Sequence, residues 1–398
     1  MRISTSQFYQ TGINNILDQQ TSLYKTQAQM STGKKIVTPS DDPAGAAQVL
    51  RLQQGIDQTN AYQTNVDHAN AALGSAENAL SNGIDVMQSV RALVVQANSG
   101  ALTLQDRQAI AQGVQQGLQS IIDMANSTDG NGNYLFAGFS ATTRPFSQTA
   151  GSVSYRGDQG QRFLQIGPDR QLAVSNSGFE VFQSVKSGNG TFTTAYANTN
   201  TGSGSIDTGQ VTDASQWVPD TYTITFTAPD TYEVRDGSSN LIASGSYQSG
   251  ASIAFNGVEV AVSGAPATGD SFTVAPSAAR DVFTTLQDLV KTLNDPAAGQ
   301  AAQANYTSDI NKALVNIDRV IDRFTNVRTD VGARMTALDS QQSTNADALT
   351  ASQTALSAVQ DLDYTQAAAL LNQQLLGLQA AQQSYVKLQN LSLFNYLQ

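Results

Sequence analysis

From Val49 to Val94 the side chains Val49, Leu52, Ile56, Thr59, Tyr62, Val66, Ala69, Leu73, Ala76, Leu80, Ile84, Met87, Val90 and Val94 recur in steps of mostly three and four. That spacing puts them on one face of an α-helix, close to the heptad seam of a coiled coil. At ~1.5 Å per residue, a helix from Ala44 to about Asn98 is on the order of 80 Å long. A compact globule of 398 residues has a radius of gyration of only roughly 21 Å. The sequence therefore predicts a rod rather than a globule.

The stripe returns near the end of the chain. Ile310, Leu314, Ile317, Ile321, Phe324, Val331, Met335, Leu338, Gln342, Asn345, Leu349, Leu356 and Val359 keep a near-heptad register, with Gln342 and Asn345 as polar members that fix alignment at a cost in seam strength. Shorter helices are expected from about Phe8 to Met30, from Leu104 to Asn126 with Thr103 as N-cap, and from Val282 to Leu293, where Asn294-Asp295-Pro296 stops the pattern. Two distant segments thus supply one antiparallel bundle.

Between residues 141 and 279 the pattern changes. Thr221–Thr227 alternates at period two, Ala228-Pro229-Asp230 turns the chain into Thr231–Arg235, and Asp236-Gly237, Asn256-Gly257 and Gly269-Asp270 mark further turns. Residues 187–216, nearly without aliphatics, read as a surface or disordered loop. The expected fold class is α+β multidomain: a long antiparallel helical bundle formed by both chain ends, with an inserted all-β domain. Its divisions are 1–43 (first helix and connector), 44–140 with 280–362 (bundle), 141–279 (insert) and 363–398 (last helix).

Composition removes several classes of function. The chain has no Cys and one His, His68, so a thiolate zinc site, a Cys nucleophile and a two-His metal site are excluded. A net charge of -11 leaves no basic footprint for nucleic acid or for an anionic membrane surface. The start lacks the apolar core of a cleavable secretory signal, and nothing approaches 18 consecutive apolar residues. Charged residues make up 13% of the chain, about half the usual share of roughly 25%. The deficit is sharpest at the ends: residues 1–17 carry only Arg2, and residues 364–398 only Lys387.

Motifs that suggest chemistry have structural readings. Ser31-Thr32-Gly33-Lys34-Lys35 has Ala28 where a phosphate-binding loop needs Gly, and Lys35 where it needs Ser or Thr, so Gly33 reads as a helix stop. In Asp41-Asp42-Pro43, Asp42 fits an N-cap and Pro43 the first helical position; Asp363 and Gln366 fit a capping box opening the last helix. His68 falls beside the stripe, and Trp217 is assigned to packing. In the last helix Leu371, Leu375, Leu378, Tyr385, Leu388, Leu391 and Phe394 form an apolar stripe opposite a face of Gln, Asn and Ala, and Ile3, Phe8, Ile13 and Ile16 do the same in the first. Both ends are expected to be surfaces buried by oligomerisation.

Met1-Arg2-Ile3-Ser4-Thr5, Ser31–Lys35, Pro39-Ser40-Asp41-Asp42-Pro43, Tyr134-Leu135-Phe136-Ala137-Gly138, Pro145-Phe146, Val331-Gly332-Ala333-Arg334 and the end from Asp363 through Gln374, Leu378, Ala381 and Tyr385 to Leu397 resemble the flagellin superfamily. Within it they are most similar to the hook-associated protein 3 family, and Gly257, Gly264, Pro266, Gly269-Asp270 and Phe272 resemble a β module common in hook-associated proteins. The resemblance implies a structural role without enzymatic activity or cofactor, in the extracellular flagellum, with export that reads no cleaved signal. It implies a ring of copies of the chain between hook-associated protein 1 and flagellin, an export chaperone on the C-terminal helix, and no nucleic acid or membrane partner. Flagellin itself is the nearest alternative, disfavoured by Pro43 after the paired aspartates and by the Arg-Ile-Ser-Thr opening. From another class, a surface-binding adhesin acting through the β domain is the remaining alternative.

Overall fold

The computed structural model describes residues 5–390 apart from 100, 101, 150 and 297; of residues 5, 6, 8 and 388–390 only the backbone is described. Six α-helices are present among these residues: α1 (Thr5–Thr32), α2 (Pro43–Ala97), α3 (Leu104–Ala125), α4 (Val282–Asn294), α5 (Gln300–Gln360) and α6 (Tyr364–Asn390). The heptad stripes become α2, of 55 residues, and α5, of 61. The chain divides into two compact units, one of residues 1–64 with 341–398 and one of residues 65–340, so α2 and α5 each contribute to both.

In the larger unit four helices share one core. Val66, Leu73, Leu80, Met87, Val90 and Val94 of α2 are buried with Ile110, Val114, Leu118 and Ile121 of α3, Phe283, Leu286, Leu289 and Leu293 of α4, and Ile310, Ile317, Val320, Phe324, Val327 and Val331 of α5. Helix α3 starts with a full capping box, the Thr103 hydroxyl accepting from Asp106 N and the Asp106 carboxylate accepting from Thr103 N at 3.0 Å. Helix α4 starts on the Asp281 side chain, which accepts from Thr284 N at 2.6 Å. Salt bridges Arg91–Asp318 and Arg328–Glu77 tie α2 to α5 at the rim of this core.

The expected insert at 141–279 is not one unit of packing. Hairpins Phe146–Thr149 with Ser152–Tyr155 and Phe163–Gly167 with Arg170–Ala173 are followed by a π-helical turn at Phe179–Gln183, and Phe146, Val153, Leu164, Ile166, Val181 and Phe182 from them pack into the helical core. Phe182 lies 5.2 Å from Phe136, 5.2 Å from Phe146 and 5.5 Å from Phe324, ring centre to ring centre. A separate core begins only at Phe192. There a five-stranded antiparallel sheet runs in the order Leu241–Ser246, Thr231–Arg235, Tyr222–Ala228, Ser271–Pro276, Phe192–Tyr196. A second sheet contains Ser252–Phe255, Val258–Ser263 and Ser205–Ile206, with Gln210–Val211 also pairing on Val258–Ser263. Alternate residues of both sheets, among them Ile224, Phe226, Phe272, Ile253, Val258 and Val260, fill the space between them, as period-two burial requires. Asn256 and Gly257 both have positive φ, 42° and 71°, the geometry of a two-residue hairpin turn. Trp217 packs 5.7 Å from both Phe192 and Tyr222.

Residues 187–216 overturn the expectation of a loop. They contain Phe192–Tyr196, Ser205–Ile206 and Gln210–Val211, and Phe192 and Ile206 are core residues. Polar side chains do here what aliphatics do elsewhere: the buried Asp270 carboxylate accepts from Thr201 N, Gly202 N and Ala267 N at 2.8, 3.0 and 2.8 Å, and Asn200 exchanges two bonds with the Ser271 backbone. A composition count misses order that is held by backbone amides.

The sandwich is fastened to α5 mainly by hydrogen bonds. Ser308 Oγ accepts from Ile206 N at 3.1 Å, Asp309 accepts from the Tyr196 hydroxyl at 2.8 Å, Asn316 Oδ1 accepts from Gly188 N at 2.8 Å, and Arg319 donates to Asn189 O at 2.6 Å.

Candidate assembly surface

The smaller unit is built around α1 and α6, which run antiparallel. Tyr9 stands edge-on to Tyr385 with ring centres 6.4 Å apart, and at the other end the Tyr364 hydroxyl donates to Met30 O at 3.3 Å. The seam positions, turned away from solvent, are Tyr9, Gly12, Ile16, Gln19, Leu23, Thr26 and Met30 on α1, and Ala367, Leu371, Gln374, Leu378, Ala381 and Tyr385 on α6, with Gln20, Gln29, Ala368 and Gly377 half-buried at their flanks. Both sets alternate steps of three and four, the seam of a two-stranded coiled coil. Its packing is thin. Of these thirteen only Leu23, Thr26 and Ala367 are buried, and the side-chain oxygens of Gln19 and Gln374 are buried without a partner among the described residues. A buried amide oxygen with no donor costs about 1–3 kcal/mol.

The expected interface residues divide on inspection. Leu371, Leu378, Tyr385 and Ile16 are half-buried in the seam within the chain, so their first contact is intramolecular. Ile13 and Leu375 are exposed, 38% and 39%, and so are Leu17, Tyr24 and Val386 and, on other faces of α6, Leu370 and Leu376, none of which the stripe reading included. Ile3, Leu391 and Phe394, with the side chains of Phe8 and Leu388, lie outside the described residues. At 100° per residue Ile13, Leu17 and Tyr24 sit about 100–140° around α1 from the seam, and Leu375 and Val386 about 80–100° around α6 in the same sense. Because the helices are antiparallel, the two rotations point to one side of the pair. That side is an apolar strip, and the only charged residues on the two described helices are Asp18, Lys25 and Lys387.

The connectors at one end of this pair are tied together. Lys35 N donates to Gln360 O at 2.7 Å and Leu362 N to Gly33 O at 3.0 Å, a stub of antiparallel ladder, with Gly33 at φ 70° as the helix stop. The adjacent aspartates are both occupied in turning the chain. Asp41 accepts from Val37 N and Thr38 N and pairs with Lys25 at 2.9 Å. Those interactions, the Thr38 amide foremost, lower its pKa to about 2. Asp42 Oδ1 accepts from Gly45 N at 2.9 Å, with Pro43 as the first residue of α2. At the start of α6, Asp363 Oδ1 accepts from Thr365 N and Gln366 N, while the exposed Gln366 side chain makes no return bond among the described residues; half of the expected box forms, because water serves that amide as well. His68 is exposed.

The Tyr134–Gly138 motif is packing rather than interface. Phe136 is buried, and Gly138, at φ 73°, lies against Asp158, whose carboxylate accepts from Phe139 N, Gly160 N and Ser140 N at 2.9, 2.8 and 2.9 Å. The Phe139 amide is the largest of the bonds that lower the Asp158 pKa. Among the described residues no group of three His, Asp or Glu side chains is placed to hold a metal ion, and no helix is long and apolar enough to cross a membrane.

Residues 3–141 match the bacterial flagellin N-terminal helical region, and residues 196–276 match the D2-like domain of flagellar hook-associated protein 1. With its paired terminal helices and its β insert, the chain is thus of the flagellin class. It is 34% identical over 187 residues, 47% of its length, to flagellar hook-associated protein 3 of Salmonella typhimurium, and the match spans 58% of that curated relative. The crystal structure of Xanthomonas campestris FlgL superposes with a TM-score of 0.73 at 34% identity, covering 77% of this chain and 99% of that one. Hook-associated protein 3 of Legionella pneumophila superposes with a TM-score of 0.75 at 32% identity, covering 78% of this chain and 98% of that one. The chain belongs to the flagellar hook-associated protein 3 (FlgL) family. Flagellins match less of it, as in the 31% identity over 114 residues to that of Clostridium tyrobutyricum.

Proposed function

We propose that this chain is a structural subunit that joins the flagellar hook to the filament, as a ring of copies between hook-associated protein 1 and flagellin. The observation that carries the reading is the apolar strip Ile13, Leu17, Tyr24, Leu375 and Val386 on a helix pair almost without charge. An isolated pair gains little from such a strip, whereas a second copy laid along it buries both strips at ~25 cal/mol per Å². Oligomerisation therefore completes a core that α1 and α6 only begin. The same reading assigns the end near Leu388–Phe394 to this core, the C-terminal helix to an export chaperone before assembly, and the chain to export without a cleaved signal.

Deletion of residues 364–398 tests it in a strain lacking the native gene copy. The expected result is hooks without filaments and flagellin shed into the medium, while the larger unit of the purified truncated chain keeps its unfolding midpoint. Normal filaments on the truncated protein overturn the proposal.

A further inference from the structure

Two clefts meet where the sandwich faces α4 and α5, sharing Asn198, Lys291, Thr292 and Asp309 on their walls. Their volumes are about 470 and 670 Å³. Four cations line them, Arg107, Arg280, Lys291 and Lys312, against the carboxylates of Asp288, Asp295 and Asp309. Asp309 accepts from the Tyr196 hydroxyl, and Asp288 pairs with both Arg280 and Lys291.

Lys312 is placed differently. Its ammonium makes no hydrogen bond or ion pair among the described residues, and burial lowers its pKa, an effect that Asp309 opposes and the neighbouring Arg280 guanidinium reinforces. Lys312 and Arg280 are like charges on the wall of one cleft, and while Arg280 is paired with Asp288 the Lys312 ammonium has no acceptor bonded to it, a poor arrangement for stability alone. An oxyanion in the cleft supplies the Lys312 ammonium with an acceptor and offsets its repulsion with Arg280, and charge-assisted bonds to an oxyanion are among the strongest such contacts.

We propose that this cleft binds a small oxyanion, a phosphate or carboxylate group held by Lys312 and Arg280 with Asn198 and Thr285 on its rim. The walls come from the strand and loop after Tyr196, from α4 and from α5, so an occupant braces the joint between the sandwich and the helices. Bound ligand therefore stabilises the folded chain by mass action.

The test uses the full chain in thermal unfolding and titration calorimetry with sodium phosphate, citrate and glucuronate, ionic strength being held constant with sodium chloride. A saturable rise of the midpoint by about 2 °C or more is expected with at least one of them. K312Q weakens that binding at least tenfold, K312R retains it, and R144Q, which removes an exposed cation lining neither cleft, leaves it unchanged. Response to phosphate alone identifies a phosphoryl or free inorganic ligand; response to glucuronate identifies the carboxylate of an acidic sugar. On the unaltered chain, the Lys312 side-chain methylene resonance moves with the same saturation curve. Absence of saturable binding by all three, undiminished binding in K312Q, or an unmoving Lys312 resonance overturns the proposal.

Discussion

The seam between α1 and α6 and the core shared by α2 to α5 in the larger unit obey the same helical period, yet only one of them is finished. Leu73, Leu80, Met87, Ile317 and Phe324 have essentially no exposed surface, because they lie in one core to which four helices and the Phe146–Phe182 region all contribute. Tyr9, Ile16, Leu371 and Tyr385 keep exposed surface, because each faces a single neighbouring helix, and Gln19, Thr26 and Gln374 take places where large aliphatics would fit. Periodicity decides that a segment is a helix; the number of neighbours and the size of the seam residues decide whether it is stable alone.

The comparison is most easily broken in the larger unit. Phe324→Ala should lower its unfolding free energy by about 3–5 kcal/mol in denaturant titration. Leu376→Ala, at a site 67% exposed on α6, should change the unfolding free energy of the smaller unit by less than about 0.5 kcal/mol. Comparable losses at the two sites would mean that the terminal pair is not the unfinished region. Next in size, Asp270→Ala strips the acceptor from three backbone amides and should cost about 2–3 kcal/mol, read in the exchange rates of amides in the sandwich. Sandwich amides that exchange unchanged would remove the polar network as the source of order at residues 187–216.

A gain sharpens the contrast. Replacing both Gln19 and Gln374 by Leu removes two unpartnered oxygens and should slow amide exchange in α1 and α6 about fivefold, corresponding to roughly 1 kcal/mol. No slowing would show that the seam is limited by something other than its polar members. The smallest expected effect is electrostatic. The Asp41 pKa lies at about 2, below its ordinary value of 3.8, so the stabilisation it confers is fully present above pH 3.8 and is lost as pH falls towards 2. Asp41→Asn should abolish that fall in the unfolding of the 33–43 connector, and a fall that persists would assign it to another carboxylate.

The long helices were legible because the heptad period is carried by large apolar residues over many turns, and the capping residues Thr103 and Asp42 because their partners are local in sequence. Register was less so. The polar pair in α5 was expected at Gln342 and Asn345, but Gln341 is the buried partner, bonded to Asn345 at 2.9 Å, and Gln342 is exposed. Ile310, Ile317, Phe324, Val331, Leu338 and Asn345 stay buried at strict seven-residue spacing, so the register does not drift; the second row of the seam is Ala313, Val320, Val327 and Gln341, one position before the larger Leu314 and Ile321 from which it was read. The split of the insert into two packing regions was illegible for another reason: Phe146, Val181 and Phe182 lie in the same Gly-, Ser- and Thr-rich stretch as the sandwich residues, and only tertiary contact assigns them to the helices. Ser308, Asp309, Asn316 and Arg319 read as a solvated helix face, although together they hold the sandwich. As for the proposed interface, charge scarcity singled out α1 and α6, but which apolar side chains stay uncovered depends on the seam that the two helices choose.

The ladder stub between Lys35 and Leu362 has a mechanical consequence. Its two hydrogen bonds lie between antiparallel connectors, so a pull along α6 loads them side by side, in shear, instead of opening them one after the other. Force entering through one chain end is thereby divided between α1 and α6 before it reaches α2 or α5. In the junction role proposed above, that crosslink would share load between the two ends of the same chain.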